Sequence, residues 1–386
     1  MTTTKKRNPL AALTGAALAL PAIAQLAHAD SAPVKTEVGY RYSQYQEDDL
    51  SQSQILIGSP ERYDVDNHAF RLVTPLNAQL GLTVDASYET MSGASAYGVA
   101  EDAQGEPKLI MTGASIDDRR NDVSASLRHY RDNGSIAVSV GWSDEKDYTA
   151  YNAALEAEQS SADRLTTYSG GIGYSSDTIE PVQEAGINRP DSEDKSTING
   201  FAAITRILSA SWQVQGGLFA GFNDGYLSDA YKARDIRPDE RQSFGAMARS
   251  RYFMPDLQAA LHADYRYYSD DWGIQSHTLE FAWHQSLTKQ LRLVPLLRYY
   301  SQSQADFYVD NDSISHTGDQ SSDYRLSPFG AIAYGLGLVY EETSWRLTAN
   351  VERYDSEGDL ALESVDRENP MLVSYTLLAV GVDYRF

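Results

Sequence analysis

The fold class this sequence predicts is all-β: a transmembrane antiparallel up-and-down β-barrel of about sixteen strands. Three observations carry that reading. Period-two alternation of apolar and polar residues recurs from Val34 to Phe386. The runs are joined by connections of two length classes, tight and long, as short turns on one side of a membrane and long loops on the other require. A hydrophobic fraction of 42% with 26 tyrosines, at a mean hydropathy of −0.45, describes a chain that alternates its apolar residues rather than clustering them.

Taken in chain order, the first element is a leader over residues 1–29. Lys5, Lys6 and Arg7 precede an apolar stretch from Leu10 to Leu26, and Ala27-His28-Ala29 offers small residues around a cleavage point before Asp30. Pro21 and Gln25 interrupt that stretch, and no later segment approaches about 18 consecutive apolar residues, so residues 30–386 must cross a bilayer with strands. Leu80, Leu82, Val84, Ala86 and Tyr88 oppose Gly81, Thr83, Asp85, Ser87 and Glu89. The same rhythm returns at Ile136 to Trp142, in Leu257 to Tyr267, at Trp212, Val214, Leu218 and Phe222, and at Trp345 to Val351. Tight links at Pro75-Leu76, Asn133-Gly134, Leu208-Ser209, Met254-Pro255, Thr288-Lys289 and Glu341-Glu342 alternate with longer acidic ones near 46–65, 91–119, 176–195, 223–241, 305–322 and 356–370. Both termini belong on the short-turn side, which forces an even strand number. Reading Asp144 to Asp147 as a short outer turn, Tyr148 to Gln159 as a strand and Ser160 to Ala162 as an inner turn restores that parity, although Ala153 to Glu158 is also a good short helix sequence.

The last run sets Val380, Val382, Tyr384 and Phe386 against Ala379, Gly381, Asp383 and Arg385. A terminal Phe preceded by alternating apolar residues resembles the sorting signal read by the bacterial barrel-assembly machinery, which makes that machinery and outer-membrane lipid the expected partners. The expected location is therefore the cell outer membrane, reached after secretion to the periplasm. A formal net charge of −22 argues against nucleic acid as a partner, because phosphates would be repelled. Removing a leader that carries Lys5, Lys6 and Arg7 leaves the remainder more acidic still. With no cysteine in the chain, disulfides and thiol chemistry drop out.

The inferred inward face carries Arg71, Asp85, Glu89, Arg128, Arg206, Arg249, Arg251, Asp264, Arg266, Glu280, Arg292, Arg298, Arg346 and Glu352. On the lipid face each would cost about 2–4 kcal/mol near midplane, so energy enforces the phase. Such a lining either conducts small hydrophilic solutes or is knitted into ion pairs that close the barrel. The densest polar and aromatic cluster lies near one rim and supplies the candidate lumen residues Asp264, Arg266, Tyr268, Asp270, Asp271, Glu280, His284, Arg298, Tyr300 and Asp306. Asp270 and Asp271 would share a cation only within a turn, since adjacent side chains on a strand diverge. His277 and His284 are an odd number of positions apart and should face opposite sides, so a shared metal is not expected. Ser276, His277, Asp306 and His316 could be drawn as a catalytic set, but no spacing compels it, and nucleophile-elbow, zinc-protease, P-loop and dinucleotide motifs are absent. Neither an enzyme nor a bound cofactor is expected. An internal echo, Met91-Ser92-Gly93-Ala94-Ser95 and Met111-Thr112-Gly113-Ala114-Ser115 followed by Ile116 to Arg120, brackets the loop at 91–119. Small residues there let two backbones approach, so Ser92, Gly93, Ser95, Gly113, Ser115, Asp117 and Arg119 are candidates for a constriction, or for arms packed on each other.

These two arms, together with Gly225-Tyr226-Leu227-Ser228-Asp229-Ala230-Tyr231-Lys232, Tyr265 to Thr278 and Arg298 to Tyr308, resemble a family of bacterial outer-membrane β-barrel proteins without an assigned activity. The match spans most of residues 30–386. Relatives look like components of envelope gene sets that also encode a small secreted lipoprotein, a thioredoxin-like protein and a flavin-attaching transferase. The resemblance therefore implies a lipoprotein or periplasmic redox partner, with this chain as scaffold or conduit, since it carries no flavin-attachment or haem motif. The leading expectation is a channel or conduit for a small polar solute, with a charged lumen and acidic outer loops. A non-conducting scaffold for an envelope redox assembly is its rival, and a rim-active hydrolase is a distant third.

Overall fold

The computed structural model describes residues 32–113, 116–183, 188–232, 234–312 and 317–386. The leader expected over residues 1–29, Ser115 and His316 lie outside them. In chain order the strands are β1 (Glu37–Glu47), β2 (Ile55–Ile57), β3 (Asp64–Asn77), β4 (Leu80–Gly93), β5 (Ala96–Glu101), β6 (Pro107–Met111) and β7 (Ile116–Arg131). There follow β8 (Gly134–Asp144), β9 (Tyr148–Ser160), β10 (Thr166–Ile179), β11 (Glu193–Ser209), β12 (Trp212–Gly225) and β13 (Glu240–Met254). The last are β14 (Ala259–Asp270), β15 (Gln275–Ser286), β16 (Leu291–Gln302), β17 (Phe329–Glu341), β18 (Trp345–Glu357) and β19 (Tyr375–Arg385). Sixteen of these form a closed antiparallel barrel in chain order, and β1 pairs with β19 to seal it. Closure leaves no open edge, the condition for a sheet that crosses lipid. The remaining three, β2, β6 and β5, make a small sheet within the long loops.

Parity sets the two faces. Val138, Val140, Ile172 and Leu218 are each more than half exposed, while Ala137, on the opposite face of β8, is buried. Aromatic pairs mark the end that carries the short turns: Trp212 with Tyr252, ring centroids 6.3 Å apart, and Trp345 with Tyr384 at 4.5 Å. Such girdles flank the apolar belt of a membrane barrel. Arg206 is a correction. It pairs with Thr166 on the same face as the exposed Ile198 and Ile204, so it points away from the lumen. Parity carries it outward, and its place near the turn end lets the guanidinium reach water and the Thr166 hydroxyl.

Polar side chains in and beside the turns close them. Asn77 Oδ1 accepts from Gln79 N at 2.8 Å, and Thr288 Oγ1 accepts from Gln290 N and Leu291 N. The first therefore turns at 78–79, beyond Pro75-Leu76, because β3 runs on to Asn77. The helix-prone Ala153 to Glu158 stretch is strand, paired along its length to β8 and β10. Ladder bonds outweigh helix propensity where no water can satisfy a broken backbone.

Candidate functional site

The barrel encloses a cavity of about 1310 Å³. It runs from Pro33, Glu37, Val73, Tyr130 and Arg346 at the turn end to the loop residues Tyr226, Asp229, Arg237, Arg325 and Leu326 at the other. The inward positions of β8 to β11 bordering it include Ser139, Asn152, Ala154, Gly171, Gly173, Ser175 and Asn199. Opposite them, β13 to β18 fill their side of the lumen with ion pairs. Arg298 Nε lies 2.7 Å from Glu280 and its Nη1 3.4 Å from Glu352, while Asp264 takes both Arg251 and Arg249. The His262 and His284 rings meet beside them, tilted, with centroids 4.0 Å apart.

At the loop end the connections fold inward and meet across the mouth. Tyr231, between β12 and β13, donates to Asp147 in the β8–β9 turn. Ile236 bridges to Gln320, and Arg234 donates to the Asp312 carbonyl at 2.8 Å. Asp312 in turn accepts from Val99 N on the β5–β6 hairpin at 2.8 Å. Asn369 Nδ2, from the β18–β19 loop, donates to Tyr308 Oη at 3.0 Å and to the Ser322 carbonyl at 2.9 Å. This cap has apolar cores of its own, Val99, Leu109 and Met371 in one and Trp272, Ile274 and Leu326 in another. Its ionic centre is Asp323, fully buried, with Arg237 Nη2 at 2.8 Å, Lys232 Nζ at 4.0 Å and Arg325 against both oxygens. Burial pushes the Asp323 carboxyl up, but Arg325, Lys232 and Arg237 hold it well below the usual carboxylate range.

The candidate residues part company. Arg266, Tyr268 and Tyr300 line the cavity together, with Trp272, Ser276 and Gln302 beside them. Asp264, Glu280, His284 and Arg298 belong to the ionic wall. Asp270 is spent on Arg241, Tyr268 and the backbone N–H groups of Trp272 and Ile274. Asp271 is exposed and accepts from Gln242 N, so the adjacent carboxylates diverge and share no ion. Asp306 is exposed in the cap, and His277 faces outward between Tyr265 and Tyr267, so Ser276, His277 and Asp306 do not converge. None of Ser92, Gly93, Ser95, Gly113, Asp117 or Arg119 borders the cavity, which corrects the constriction. The arms pair with each other instead: Thr112 N donates to the Ser95 carbonyl at 2.9 Å, and Ala96 stands opposite Met111. Gly93 takes a φ of +128° where any Cβ would strike the Arg62 carbonyl, and odd parity on β7 puts Asp117 and Arg119 on the exposed side.

Arg128 was expected on the inward face, but its partner and an acidic grouping escaped the sequence reading. Arg128 and Glu156 pair at 2.8 Å across β8, a partnership that matching inward positions could have suggested. Asp118, Glu145 and Asp147, all buried, hold carboxylate oxygens within 4.8 Å of one another at the loop end of β7 and the β8–β9 turn. This is the grouping among the described residues close enough for a cation, although Tyr231 and Arg120 already occupy part of it. Burial pushes the Asp147 carboxyl up to about 6, the Tyr231 hydroxyl pulls it down, and Asp118 adds to the rise.

A family model described as "Protein of unknown function (DUF3570)" matches residues 10–365. The chain belongs to that family. No curated protein sequence matches it. Among solved structures it is similar to a bacterial polysaccharide outer membrane secretin, with a TM-score of 0.52 and 9% identity, covering 91% of this chain and 98% of that one. It is also similar to CdiB from Acinetobacter baumannii, with a TM-score of 0.51 and 10% identity, covering 92% of this chain but only 60% of that one. At such identities the likeness is one of fold: that of an outer-membrane β-barrel.

Proposed function

We propose that this family member is a capped conduit of the outer membrane, with its turn end in the periplasm and its cap facing outward, which admits a small polar solute from the periplasmic side. The single observation behind this reading is the continuous cavity from the turn-end rim to the underside of the cap. A barrel that served only to anchor other proteins has no need of a wall kept clear by Ser, Gly, Ala and Asn. Passage requires the cap to move, and its buried ion cluster around Asp323 is the natural latch, since removing a partner leaves charge unpaired in a dry place.

The test is single-channel recording in planar bilayers. The native chain should be closed or flicker briefly, and Asp323→Asn should raise the open fraction to persistent steps. Silence in both, with the barrel still shifting its gel mobility on heating, would reject the conduit. The second reading, a non-conducting scaffold for a periplasmic redox or lipoprotein partner, draws on the same cap, which closes the outer mouth with a core of its own. Co-purification of such a partner with a silent barrel would favour it.

A further inference from the structure

Near the ceiling of the cavity Arg266 is a guanidinium without an acid partner. Each acidic side chain around it is committed elsewhere: Asp264 to Arg251 and Arg249, Asp270 to Arg241, Glu280 to Arg298. Its Nε is shut in with no hydrogen-bond partner, so an acceptor arriving from the cavity that the side chain borders would meet the Nη end of the fork. A guanidinium drawn out of bulk water without an acceptor is costly, so this position stands ready for one.

The group is also held in place. Gly245 has no side chain, and a Cβ there would collide with the Phe219 ring, so Phe219 lies across β13 toward β14. Arg266 Cζ rests 4.6 Å from that ring's centroid, a cation–π contact that helps to hold the guanidinium. Tyr268, Tyr300 and Trp272 supply flat, largely apolar surface nearby, and all border the same space.

We infer that Arg266 is an oxyanion-binding subsite for the carboxylate of a small organic acid with a flat apolar body. The planar fork suits a carboxylate bound through two parallel hydrogen bonds, and the flanking rings suit an unsaturated body better than a hydrated one. The inference deepens the conduit reading by naming its solute class, and it rests on that reading only for access from the turn end.

The test uses the full chain folded in detergent, with benzoate, its neutral isostere benzamide and inorganic phosphate as probes, read by equilibrium dialysis and by quenching of tryptophan fluorescence. Benzoate should bind saturably, and benzamide and phosphate at least about tenfold more weakly. Arg266→Gln should remove benzoate binding, and Arg266→Lys should weaken it by about tenfold through loss of the fork. Should Arg266→Gln fail to fold, Thr278→Asp offers a second route, because Thr278 stands opposite Arg266 in the ladder. An internal carboxylate there should abolish benzoate binding while raising the temperature at which the barrel unfolds. Unaltered benzoate binding in Arg266→Gln or Thr278→Asp, or equal affinity for benzamide, would overturn the assignment. A silent bilayer with intact benzoate binding would count against the conduit alone.

Discussion

The wall formed by β8 to β11 and the wall formed by β13 to β18 obey the same in-and-out rhythm yet line the lumen in opposite ways. On the first, inward positions such as Ser139, Gly173 and Asn199 are short, and the space in front of them is the cavity. On the second, Arg249, Arg251, Asp264, Glu280, Arg298 and Glu352 interlock and none of them borders it, while Arg266, Tyr268, Ser276, Tyr300 and Gln302, nearer the loop end, do. A barrel of this strand number is wide enough to need filling or to leave a passage, and here each of these walls takes one of those solutions. Alternation therefore decides what faces lipid, while side-chain length decides where the hole is.

The largest effect that probes this contrast comes from pH, at the turn beside the open wall. Asp147 titrates near 6 when folded against 3.8 when free, with Asp118, Glu145, Asp229, Tyr231 and Arg120 as the charged or titratable groups around it. A carboxyl whose pKa is raised on folding stabilises the fold while protonated. That contribution is fully present below pH 3.8 and is lost as pH rises through about 6, at about 1.4 kcal/mol per pH unit. The heat-modifiable transition should therefore fall between pH 4 and 7, and Asp147→Asn should flatten that slope. An unchanged slope in the variant would remove Asp147 from the account.

Next in size is the ionic wall. Arg298→Met leaves Glu280 and Glu352 facing each other, at a cost of about 2–3 kcal/mol once partial exposure of these side chains is allowed for. The reading is a lower unfolding temperature, recovered in part by Glu280→Gln in the same chain. A wall that tolerates Arg298→Met unchanged would be a solvated lining rather than a lattice.

The smallest effects compare two inward glycines. Gly245→Ala should cost about 1–3 kcal/mol, because the Phe219 ring fills the place of its Cβ. Gly173→Ala should stay within about 0.5 kcal/mol, since the nearest atoms to a Cβ there lie at 3.9 Å, an ordinary contact. Equal responses would mean that the two walls are packed alike.

Much of the architecture was legible before folding. Strand number, the doubtful strand from Tyr148 and the short turn before it all follow from a parity rule and a two-residue period, which local stretches of chain express without reference to one another. Arg206 escaped because a terminal residue beyond the apolar belt keeps its parity but loses the energetic penalty that makes parity informative. The loops escaped for a different reason. Asp323, Arg325, Arg237 and Asp312 show no period, and their partners lie on other loops, so their burial has no local signature. For the candidate site the sequence reading found Arg266, Tyr268 and Tyr300 but could not separate them from Asp264, Glu280 and Arg298, because all share inward parity on neighbouring strands.

What residues 32–386 settle one strand at a time is the belt that meets lipid: a side chain flips sides with each step, and misplacing a charge near midplane costs more than a turn can repay. That Arg266 keeps no acid partner, which wall of the lumen stays clear and what closes the loop-end mouth are outcomes of assembly. They depend on Phe219 reaching over Gly245 toward Arg266 and on loops meeting across the barrel, contacts between residues that share space only after the cylinder has closed.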